Sequence, residues 1–253
     1  MSVYVVGDVH GHLIKLLDLL SESGLIDESH HWSGGDAQLW FMGDFFDRGP
    51  HGIGVVDLVM RLQGQADEVG GQVRAILGNH EILFLAAHQF TRPNNKFQIS
   101  WKRNGGQNPD MQLVTSRQIA WLRNLPALAC VADRLFMHAD AMFYLDYGQS
   151  IEEVNESIRE ILRDSQSEDW DRLLDDFSQR MAFSSPHANG FSNITECLGY
   201  YGGSQIVHGH TPIQYVADAI APKAPFIYAN GLCVNVDGGM YLGAPGFVYR
   251  LPD

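Results

Sequence analysis

The sequence predicts a layered α/β fold, and three observations lead to that prediction. Short apolar runs recur along the chain without polar alternation, which is typical of strands buried on both faces. Segments in which leucine and valine repeat at helical spacing separate several of these runs. Polar clusters follow the runs, and the carboxyl ends of strands are where α/β proteins usually place their sites. We therefore expect the functional residues to gather at one rim of the sheet.

Five of the apolar runs are predicted strands that lead into polar clusters. The runs are Val3–Val6, Leu39–Met42, Arg74–Leu77, Arg134–Met137 and Gln205–Val207. The clusters after them contain, in the same order, Asp8, Asp44, Asn79, His138 and His210. The last third of the chain holds further predicted strands at Val234–Val236, Tyr241–Leu242 and Phe247–Leu251.

Two helices are predicted between the first strands. The first closes at Gly24 and contains apolar residues at helical spacing, namely Leu13, Leu16, Leu17 and Leu20. The second closes at Gly64 and contains Val55, Val59 and Leu62. By contrast, the polar segment Thr91–Gln118 is expected to form a loop over the site; it contains Trp101 and Asn104-Gly105-Gly106.

A helical cap is predicted at about residues 150–182, inserted between two strands. Ser150 and Glu153 form a capping-box pattern that precedes the apolar residues Val154, Ile158 and Ile161. A second amphipathic helix follows, with the apolar residues Trp170, Leu173, Leu174 and Phe177. Ordinary crossover helices would give the same pattern, and the sequence leaves that alternative open.

Composition and charge describe a globular protein with an acidic surface. Hydrophobic residues make up 45% of the 253-residue chain, which is enough for a buried core, and the length suits one domain over residues 1–253. The 17 lysines and arginines stand against 30 aspartates and glutamates, for a formal charge of −13. Such a surface repels the phosphate backbone of nucleic acids, so no nucleic-acid partner is expected.

Cysteine usage and the start of the chain favour the cytoplasm. Three cysteines lie far apart without a C-x-x-C pair, which argues against a disulfide framework or a zinc ribbon and fits a reducing compartment. No basic region followed by a long apolar stretch opens the chain, and no apolar run is long enough to span a bilayer. We expect a cytoplasmic monomer or weak oligomer without a membrane partner.

The polar clusters supply a donor set that suits divalent metal ions. It combines carboxylates, imidazoles and one amide carbonyl, contributed by Asp8, His10, Asp44, Asn79, His138 and His210. Such a mixture of oxygen and nitrogen donors fits Mn²⁺, Fe²⁺ or Zn²⁺. Any one of these residues alone would be a weak indication, since a Gly-Asp pair is usually a turn and a single histidine is more often structural.

The order of the motifs resembles the bacterial branch of the serine/threonine phosphoprotein phosphatases, within the calcineurin-like metallophosphoesterase superfamily. The motifs run from residue 7 to about residue 212 and read Gly7-Asp8-Val9-His10-Gly11, Gly43-Asp44-Phe45-Phe46-Asp47-Arg48-Gly49, Gly78-Asn79-His80-Glu81, His138 and Gly209-His210. The resemblance implies a layered β-sandwich of mixed sheets flanked by helices. It also implies two divalent ions as cofactors, with Mn²⁺ expected and iron or zinc as alternatives.

The resemblance also implies a division of the donors between the two ions. Asp8 and His10 would bind the first ion, and Asp44 would bridge both. The second ion would take Asn79, His138 and His210. A shared carboxylate is reasonable because two dications about 3.5–4 Å apart need negative charge between them. A hydroxide bridging the two ions would attack the phosphorus of the substrate, without a covalent phosphoenzyme.

Four further residues are implied as catalytic. His80 would protonate the leaving group, and Asp47 would hydrogen-bond to its other nitrogen or serve as a partner for Arg48. Arg48 would clamp the phosphoryl oxygens. Arg180 is the candidate for a second arginine, with a solvated helix-end charge as the alternative reading and Arg103 as a weaker rival.

Three other polar residues near the motifs have open or minor roles. Glu81 is predicted to be a buried hydrogen-bond acceptor rather than a catalyst. His208 is expected to contact a metal ligand without binding a metal itself, or simply to end its strand. Asp140 departs from the family pattern, in which two small residues follow the histidine that stands at position 138. It would orient a ligand, line the substrate groove or point away.

Three functions compete on this sequence. The leading hypothesis is hydrolysis of phosphomonoesters on serine, threonine or tyrosine side chains, with a phosphorylated protein or a small phosphoester as substrate. The rival is hydrolysis of dinucleoside polyphosphates, by relatives that typically have Asp where Glu81 stands and often lack the Asp47-Arg48-Gly49 sequence. The third is a catalytically inactive domain that binds phosphorylated partners, which the intact ligand set and His80 disfavour.

Overall fold

Two mixed sheets carry the nine strands found in the described part of the chain. The structure, a computed structural model, describes residues 1–92, 95–184, 189–217 and 219–252. The strands β1 to β9 are, in order, Val3–Val6, Gln38–Phe41, Gln72–Ala75, Leu128–Val131, Arg134–Met137, Gln205–His208, Phe226–Tyr228, Cys233–Asn235 and Val248–Arg250. The five strands predicted before polar clusters are confirmed, with small shifts at their ends.

Parallel strands form the centre of each sheet. The first sheet has the order β3-β2-β1-β9, in which β1, β2 and β3 are parallel and β9 is antiparallel. The second has the order β4-β5-β6-β8-β7, with β5, β6 and β8 parallel and the two edge strands antiparallel. The carboxyl ends of parallel neighbours open at the same rim, so each sheet presents its loops to one site.

The two sheets pack face to face, with helices covering their outer faces. On β1, Val3 and Val5 belong to a buried cluster that also contains Phe136, Val207 and Val234 of the second sheet. Val6, which follows Val5 and points to the opposite face, belongs to the larger cluster, together with residues of the helices. Side chains alternate between the faces of a strand, so both faces of β1 are buried. The predicted layered sandwich of mixed sheets is therefore confirmed.

Ten α-helices occur in the described residues. The helices α1 to α10 are Leu13–Glu22, Gly52–Glu68, Asn79–Gln89, Lys96–Arg103, Asn108–Leu113, Ser116–Arg123, Ile151–Asp164, Ser167–Phe177, Gly190–Tyr201 and Ile213–Val216. The first predicted helix is confirmed as α1. The second continues through Gly64 to Glu68 as α2, because the helix cost of a single glycine is only about 1 kcal/mol and the packed face continues beyond it.

Two local predictions were wrong. The segment Thr91–Gln118 was expected to be a loop, but α4, α5 and the start of α6 occupy most of it; residues 93 and 94 lie outside the described residues. Capping favours two of these helices, since Asn95 caps α4 and Thr115 caps α6 through side-chain hydrogen bonds. Tyr241 and Leu242, expected in a strand, lie in a 3₁₀ turn between two glycines with positive φ.

The two helices predicted at about 150–182 are α7 and α8, and they lie between β5 and β6 in the chain. Ser150 caps α7 by accepting a hydrogen bond from the backbone of Glu153, whereas the Glu153 carboxylate accepts from Gln149 and not from Ser150. The helix α8 borders a cavity of about 180 Å³ that reaches Asn79. The cap function and the single-domain organisation stay predictions.

No helix in the described ranges combines the length and the apolar composition that a membrane crossing requires.

Candidate metal centre

The predicted donors converge at the rim where the parallel strands end. Asp8 and His10 follow β1, Asp44 follows β2, and His138 and His210 follow β5 and β6. These five side chains are all buried. Asn79 begins α3 after the short segment that follows β3, and it is half-buried. Residues 202 positions apart in the chain meet here, since the backbone N–H of His210 donates to the Asp8 carboxylate at 3.1 Å.

The backbone at this rim is strained. His10, Asp44, Asp47, Arg48 and His210 all have left-handed φ values, between 46° and 67°. Each such residue costs on the order of 1–3 kcal/mol and persists only where its surroundings hold it in place. The clustering of five such residues in one place marks this rim as a functional site.

Two glycines allow the carboxylates to approach the backbone closely. A Cβ atom on Gly78 would lie 2.3 Å from Oδ1 of Asp44, and one on Gly209 would lie 2.3 Å from Oδ1 of Asp8. Neither distance is compatible with a side chain at the glycine. Both glycines directly precede a predicted ligand, Asn79 and His210, so the motif glycines make room for the donors of neighbouring strands.

One group of donors surrounds Asn79. Its Oδ1 lies 3.0 Å from Nε2 of His138 and 3.0 Å from Nδ1 of His210. Oδ1 of Asp44 lies 3.3 Å from the same nitrogen of His138. Possible ligand atoms of Asp44, His138 and His210 all lie within 4.8 Å of one another. The structure therefore brings together the whole predicted ligand set of the second ion.

The tautomer of His138 shows that this group suits a cation. Nδ1 of His138 lies 2.7 Å from the carbonyl oxygen of Met42, so Nδ1 carries the hydrogen and Nε2 presents a lone pair. That lone pair faces the oxygens of Asn79 and Asp44, which are also acceptors. Acceptors facing one another repel, and a divalent cation among them would turn the repulsion into coordination.

Burial keeps the histidine donors neutral. It lowers the pKa of His10, His138 and His210 below the ordinary value, and neighbouring positive charges lower them further. Nδ1 of His10 lies 2.9 Å from the carbonyl oxygen of Phe46, which leaves its Nε2 as the free lone pair. Neutral imidazoles oriented by backbone carbonyls are the form in which histidine binds metals.

The other group differs from the predicted ligand set of the first ion. Possible ligand atoms of His10, Asp44 and His80 lie within 4.8 Å of one another, with His80 in the place expected for Asp8. Asp8 instead accepts the backbone N–H of His210 with both carboxylate oxygens. Burial raises the pKa of Asp8 well above its ordinary value, and the nearby Asp237 and Asp44 raise it further.

Asp44 stays ionised because the surrounding imidazoles, of which His80 keeps its proton, outweigh its burial. Burial alone would raise the pKa of this carboxyl, but His138, His80, His10 and His210 surround it and keep the pKa below its ordinary value. Asp44 is the one residue shared by both donor groups. An ionised carboxylate between two groups of donors has the position and charge that a bridging ligand needs.

An acid–base pair lies beside the donors. Nδ1 of His80 lies 2.6 Å from Oδ2 of Asp47, and the indole N–H of Trp101 donates to Oδ1 of Asp47 at 2.7 Å. Burial opposes a positive charge on His80, but Asp44 and Asp47 outweigh it and raise the pKa of His80. Burial also raises the pKa of Asp47, although His80 and Trp101 counteract it. The pair therefore retains its proton to higher pH than free histidine.

The two predicted arginines lie at the exposed edge of the site. The Arg48 guanidinium lies 3.3 Å from Nε2 of His10 and 3.2 Å from Nε2 of His80, and it stacks on the Tyr241 ring, 3.8 Å from the centroid. Arg180 is exposed after α8 and lies close enough to add to the lowering of the pKa of His138 and His210, which burial dominates. Arg103 ends α4 and is also exposed.

Three residues with open or minor roles now have defined contacts. Glu81 is a buried acceptor, as predicted: it takes the backbone N–H groups of Asp44, Phe45 and Gly78 at 2.7–3.0 Å. Asp140 is buried and accepts from the Thr211 hydroxyl and the Met181 backbone, so it ties the segment after α8 to the loop that carries His210. His208 contacts the hydroxyl of Tyr228 at 2.8 Å.

Sequence reasoning missed three residues of the site. Trp101 had been placed in a loop without a role, and Tyr241 in a strand. Asp237 was not considered, yet it is buried at the end of the β8 run and close to Asp8. Burial raises the pKa of Asp237 to about 7. The Asp237-Gly238-Gly239 cluster after an apolar run is the signal that could have found it, since the other clusters follow strands in the same way.

The profile of the calcineurin-like phosphoesterase family matches residues 1–214, which is most of the chain and includes all six predicted metal ligands. The chain belongs to this family. The chain is 36% identical over 78 residues to Shewanella-like protein phosphatase 2 of Arabidopsis thaliana, a match that covers 31% of the chain and 20% of that relative. It is 28% identical over 161 residues to the symmetrical bis(5'-nucleosyl)-tetraphosphatase of Bordetella parapertussis, covering 62% and 51%.

A solved structure resembles this chain over the whole length of the chain. The cold-active protein-tyrosine phosphatase of a psychrophilic Shewanella species superposes with a TM-score of 0.75, at 22% identity, covering 100% of this chain and 75% of that one. At this identity the likeness shows the fold. The matches to the curated relatives span between about a fifth and a half of the length of those proteins.

Proposed function

We propose that this phosphoesterase hydrolyses phosphomonoesters on proteins, at serine or threonine and also at tyrosine. The observation that carries the proposal is the buried Asp44 carboxylate shared by two donor groups, with the hydrogen-bonded pair of His80 and Asp47 directly beside it. Hydrolysis of a phosphate ester needs metal donors, a proton donor and guanidinium groups. All three kinds of group occur at this rim.

The six predicted ligands would hold two divalent ions, and Mn²⁺ is the ion that we expect first. Bound there, they would neutralise charge on the phosphate and lower the pKa of a water towards neutrality. Asp44 would bridge them, with Asn79, His138 and His210 on one side. On the other side Asp8 and His10 fit better than His80, because Asp47 holds the N–H of His80 and a raised pKa keeps its second nitrogen protonated.

The arginines would bind the phosphate group of the substrate. A guanidinium presents parallel N–H groups that match two oxygens of a phosphate. The guanidinium of Arg48 stacks on the ring of Tyr241, which keeps its N–H groups directed at the predicted metal ligands. Arg180 enters from the segment that Asp140 ties to the rim through Met181. The two positive charges would stabilise charge that develops on the phosphoryl oxygens.

His80 would protonate the oxygen that leaves. An alkoxide of serine or threonine is a poor leaving group, whereas a phenolate departs more readily, so the acid matters most for alkyl esters. Asp47 fixes the orientation of the imidazole through Nδ1 and leaves Nε2 directed towards the substrate side. Arg48, 3.2 Å from that nitrogen, would shift towards the phosphate when substrate binds.

Hydrolysis of dinucleoside polyphosphates is the second candidate. The match to the symmetrical tetraphosphatase covers 62% of the chain, twice the share matched by the Arabidopsis protein phosphatase. The donors described above would serve either reaction. The exposed edge of the site therefore decides between them, and a substrate comparison is the direct test.

The experiment strips the purified protein with a chelator, restores Mn²⁺, and measures turnover of an aryl phosphate, a phosphoserine peptide and a diadenosine polyphosphate. We expect turnover of the first two, and its loss in Asp44→Asn, which removes the shared charge. Asp67→Asn is the matched control, because Asp67 is an exposed carboxylate paired with Arg74. Cleavage of the dinucleotide alone would establish the second candidate. No turnover with Mn²⁺, iron or zinc would refute both.

A further inference from the structure

Trp101 is a buried aromatic residue whose one polar atom contacts the proposed acid–base pair. The helix α4 buries two side chains, Phe97 and Trp101, and the ring of Trp101 is 1% exposed. A buried indole N–H needs an acceptor, and a backbone carbonyl would serve. Here the acceptor is Oδ1 of Asp47, at 2.7 Å.

The two contacts of Asp47 fix its carboxylate in one rotation. Oδ1 accepts from Trp101 and Oδ2 faces His80 at 2.6 Å. Asp47 is itself 1% exposed, so no bulk water can replace a lost donor. Without the indole N–H, Oδ1 would be a buried acceptor with nothing to accept. The carboxylate would then turn, and the imidazole of His80 would lose its fixed partner.

The chain around Trp101 holds the indole still. Gly106 lies flat against it, since a Cβ atom there would come within 2.4 Å of the ring carbons. Phe84 packs edge-on at 6.2 Å between centroids. The carbonyl oxygen of the preceding residue, Gly105, accepts the backbone N–H of Arg48 at 2.9 Å. One segment, residues 101–106, therefore contacts both strained residues Asp47 and Arg48, through a side chain and through the backbone.

We infer that Trp101 is a positioning residue for the proposed proton donor, acting on His80 through Asp47. The inference rests on the proposed function, since it assigns a role in that reaction. Trp101 is 1% exposed, so it would act without contacting the substrate. Its N–H holds the carboxylate that aligns the imidazole, so its effect on the rate should follow the need for the proton donor.

The test compares two substrates in Trp101→Phe, which keeps an aromatic ring and removes the N–H. Turnover of a phosphoserine peptide should fall about tenfold or more, a part of the roughly 100- to 10,000-fold that a positioned general acid contributes. Turnover of p-nitrophenyl phosphate, which leaves without a proton, should fall less than about threefold. A general loss of structure would instead lower both rates by the same factor, and equal losses would overturn the inference.

Trp121→Phe is the matched control, because its indole N–H donates to Gln63 at 2.8 Å, away from the pair. It should leave the ratio of the two rates unchanged. If Trp101→Phe does not fold, Gly106→Ala carries the same test, since its methyl group displaces the indole without removing it. In an Asp47→Ala background, Trp101→Phe should change neither rate further; an additional selective loss on the peptide would contradict action through Asp47.

A readout that does not depend on activity separates this inference from the proposed function. The chain has five tryptophans, hence five indole N–H resonances. The resonance of Trp101 should lie downfield because it donates to a carboxylate, and it should move upfield in Asp47→Asn. An unchanged resonance would refute the contact even if the protein is an active phosphatase. If no phosphoester is turned over by the wild type, the function fails while the contact is still measured.

Discussion

Histidines within one site differ in charge state, and the carboxylates around them decide which is charged. Burial lowers the pKa of His10, His138 and His210, so these remain neutral donors. Burial opposes the charge of His80 as well, yet its two carboxylate neighbours Asp44 and Asp47 reverse the effect. The same residue type therefore provides lone pairs at three positions and a proton at the fourth.

The rate on an alkyl phosphate ester is expected to fall as pH rises through the pKa of His80. The imidazolium is the active form, and its pKa is raised above the ordinary 6.5, so the decline should lie above pH 6.5. An aryl ester with a good leaving group should not show this decline. The measurement is kcat/KM against pH for both esters with Mn²⁺.

His80→Asn and Asp47→Asn serve as controls for this pH dependence. His80→Asn should remove the decline on the alkyl ester together with much of the rate. Asp47→Asn should move the decline to lower pH, because it removes an anion that raises the pKa of His80. The same decline on both esters would show that another group is responsible.

Strand ends are the elements that place the donors, and the glycines between strand and donor set the spacing. Every strand that leads to a donor is four residues long and parallel to a neighbour, so small shifts in register would separate the ligands. Asp44 fits against β3 because Gly78 has no side chain. Gly78 therefore determines how closely β2 and β3 bring their ligands together.

Gly78→Ala should weaken metal binding about 10- to 100-fold, the usual cost of disturbing the support of a ligand. The added Cβ would lie 2.3 Å from Oδ1 and 2.6 Å from the backbone nitrogen of Asp44, so that carboxylate must move. Titration with Mn²⁺ followed by calorimetry measures the effect.

Gly64→Ala is the control for this element. A Cβ atom at Gly64 would meet nothing within 4 Å, and the residue lies inside α2. The substitution should leave metal affinity unchanged and stabilise the protein by about 0.5–1 kcal/mol. If Gly78→Ala and the wild type bound metal with equal affinity, the backbone at Gly78 could move to accept a side chain, which would contradict the prediction.

Local sequence signals predicted some elements and misled at others. Apolar runs identified the central strands because burial on both faces requires them. The polar segment Thr91–Gln118 looked like a loop, since its helices bury few residues each, such as Phe97 and Trp101 in α4. Caps stabilise α4 and α6, these two helices pack on α3, and α5 packs on α2. Packing between elements is not visible in local composition.

The site joins the two halves of the molecule. Asp8 and Asp44 come from the first sheet and His138 and His210 from the second, and Asp44 contacts His138 across the interface at 3.3 Å. Ions held by both sheets would bind the folded protein and not the unfolded chain. Metal binding and folding stability are therefore linked.

Removal of metal by a chelator should lower the melting temperature. At a metal concentration 100 times the dissociation constant, binding to the native state alone contributes about 2.7 kcal/mol. Thermal unfolding with and without Mn²⁺ measures the shift, and Asp44→Asn should show a much smaller one. A melting temperature that does not respond to metal in the wild type would contradict a site shared by the sheets.

The sequence by itself determined the fold class and the family and predicted the candidate donors, because buried strands and metal ligands need particular residue types in a particular order. Only the tertiary structure decided which donors share a partner, how Asp8 and His80 differ in surroundings, and that Trp101, Asp237 and Tyr241 belong to the site. Those facts depend on contacts between residues that are far apart in the chain. Burial and neighbouring charge, which set the protonation of each group, arise only when the two sheets pack.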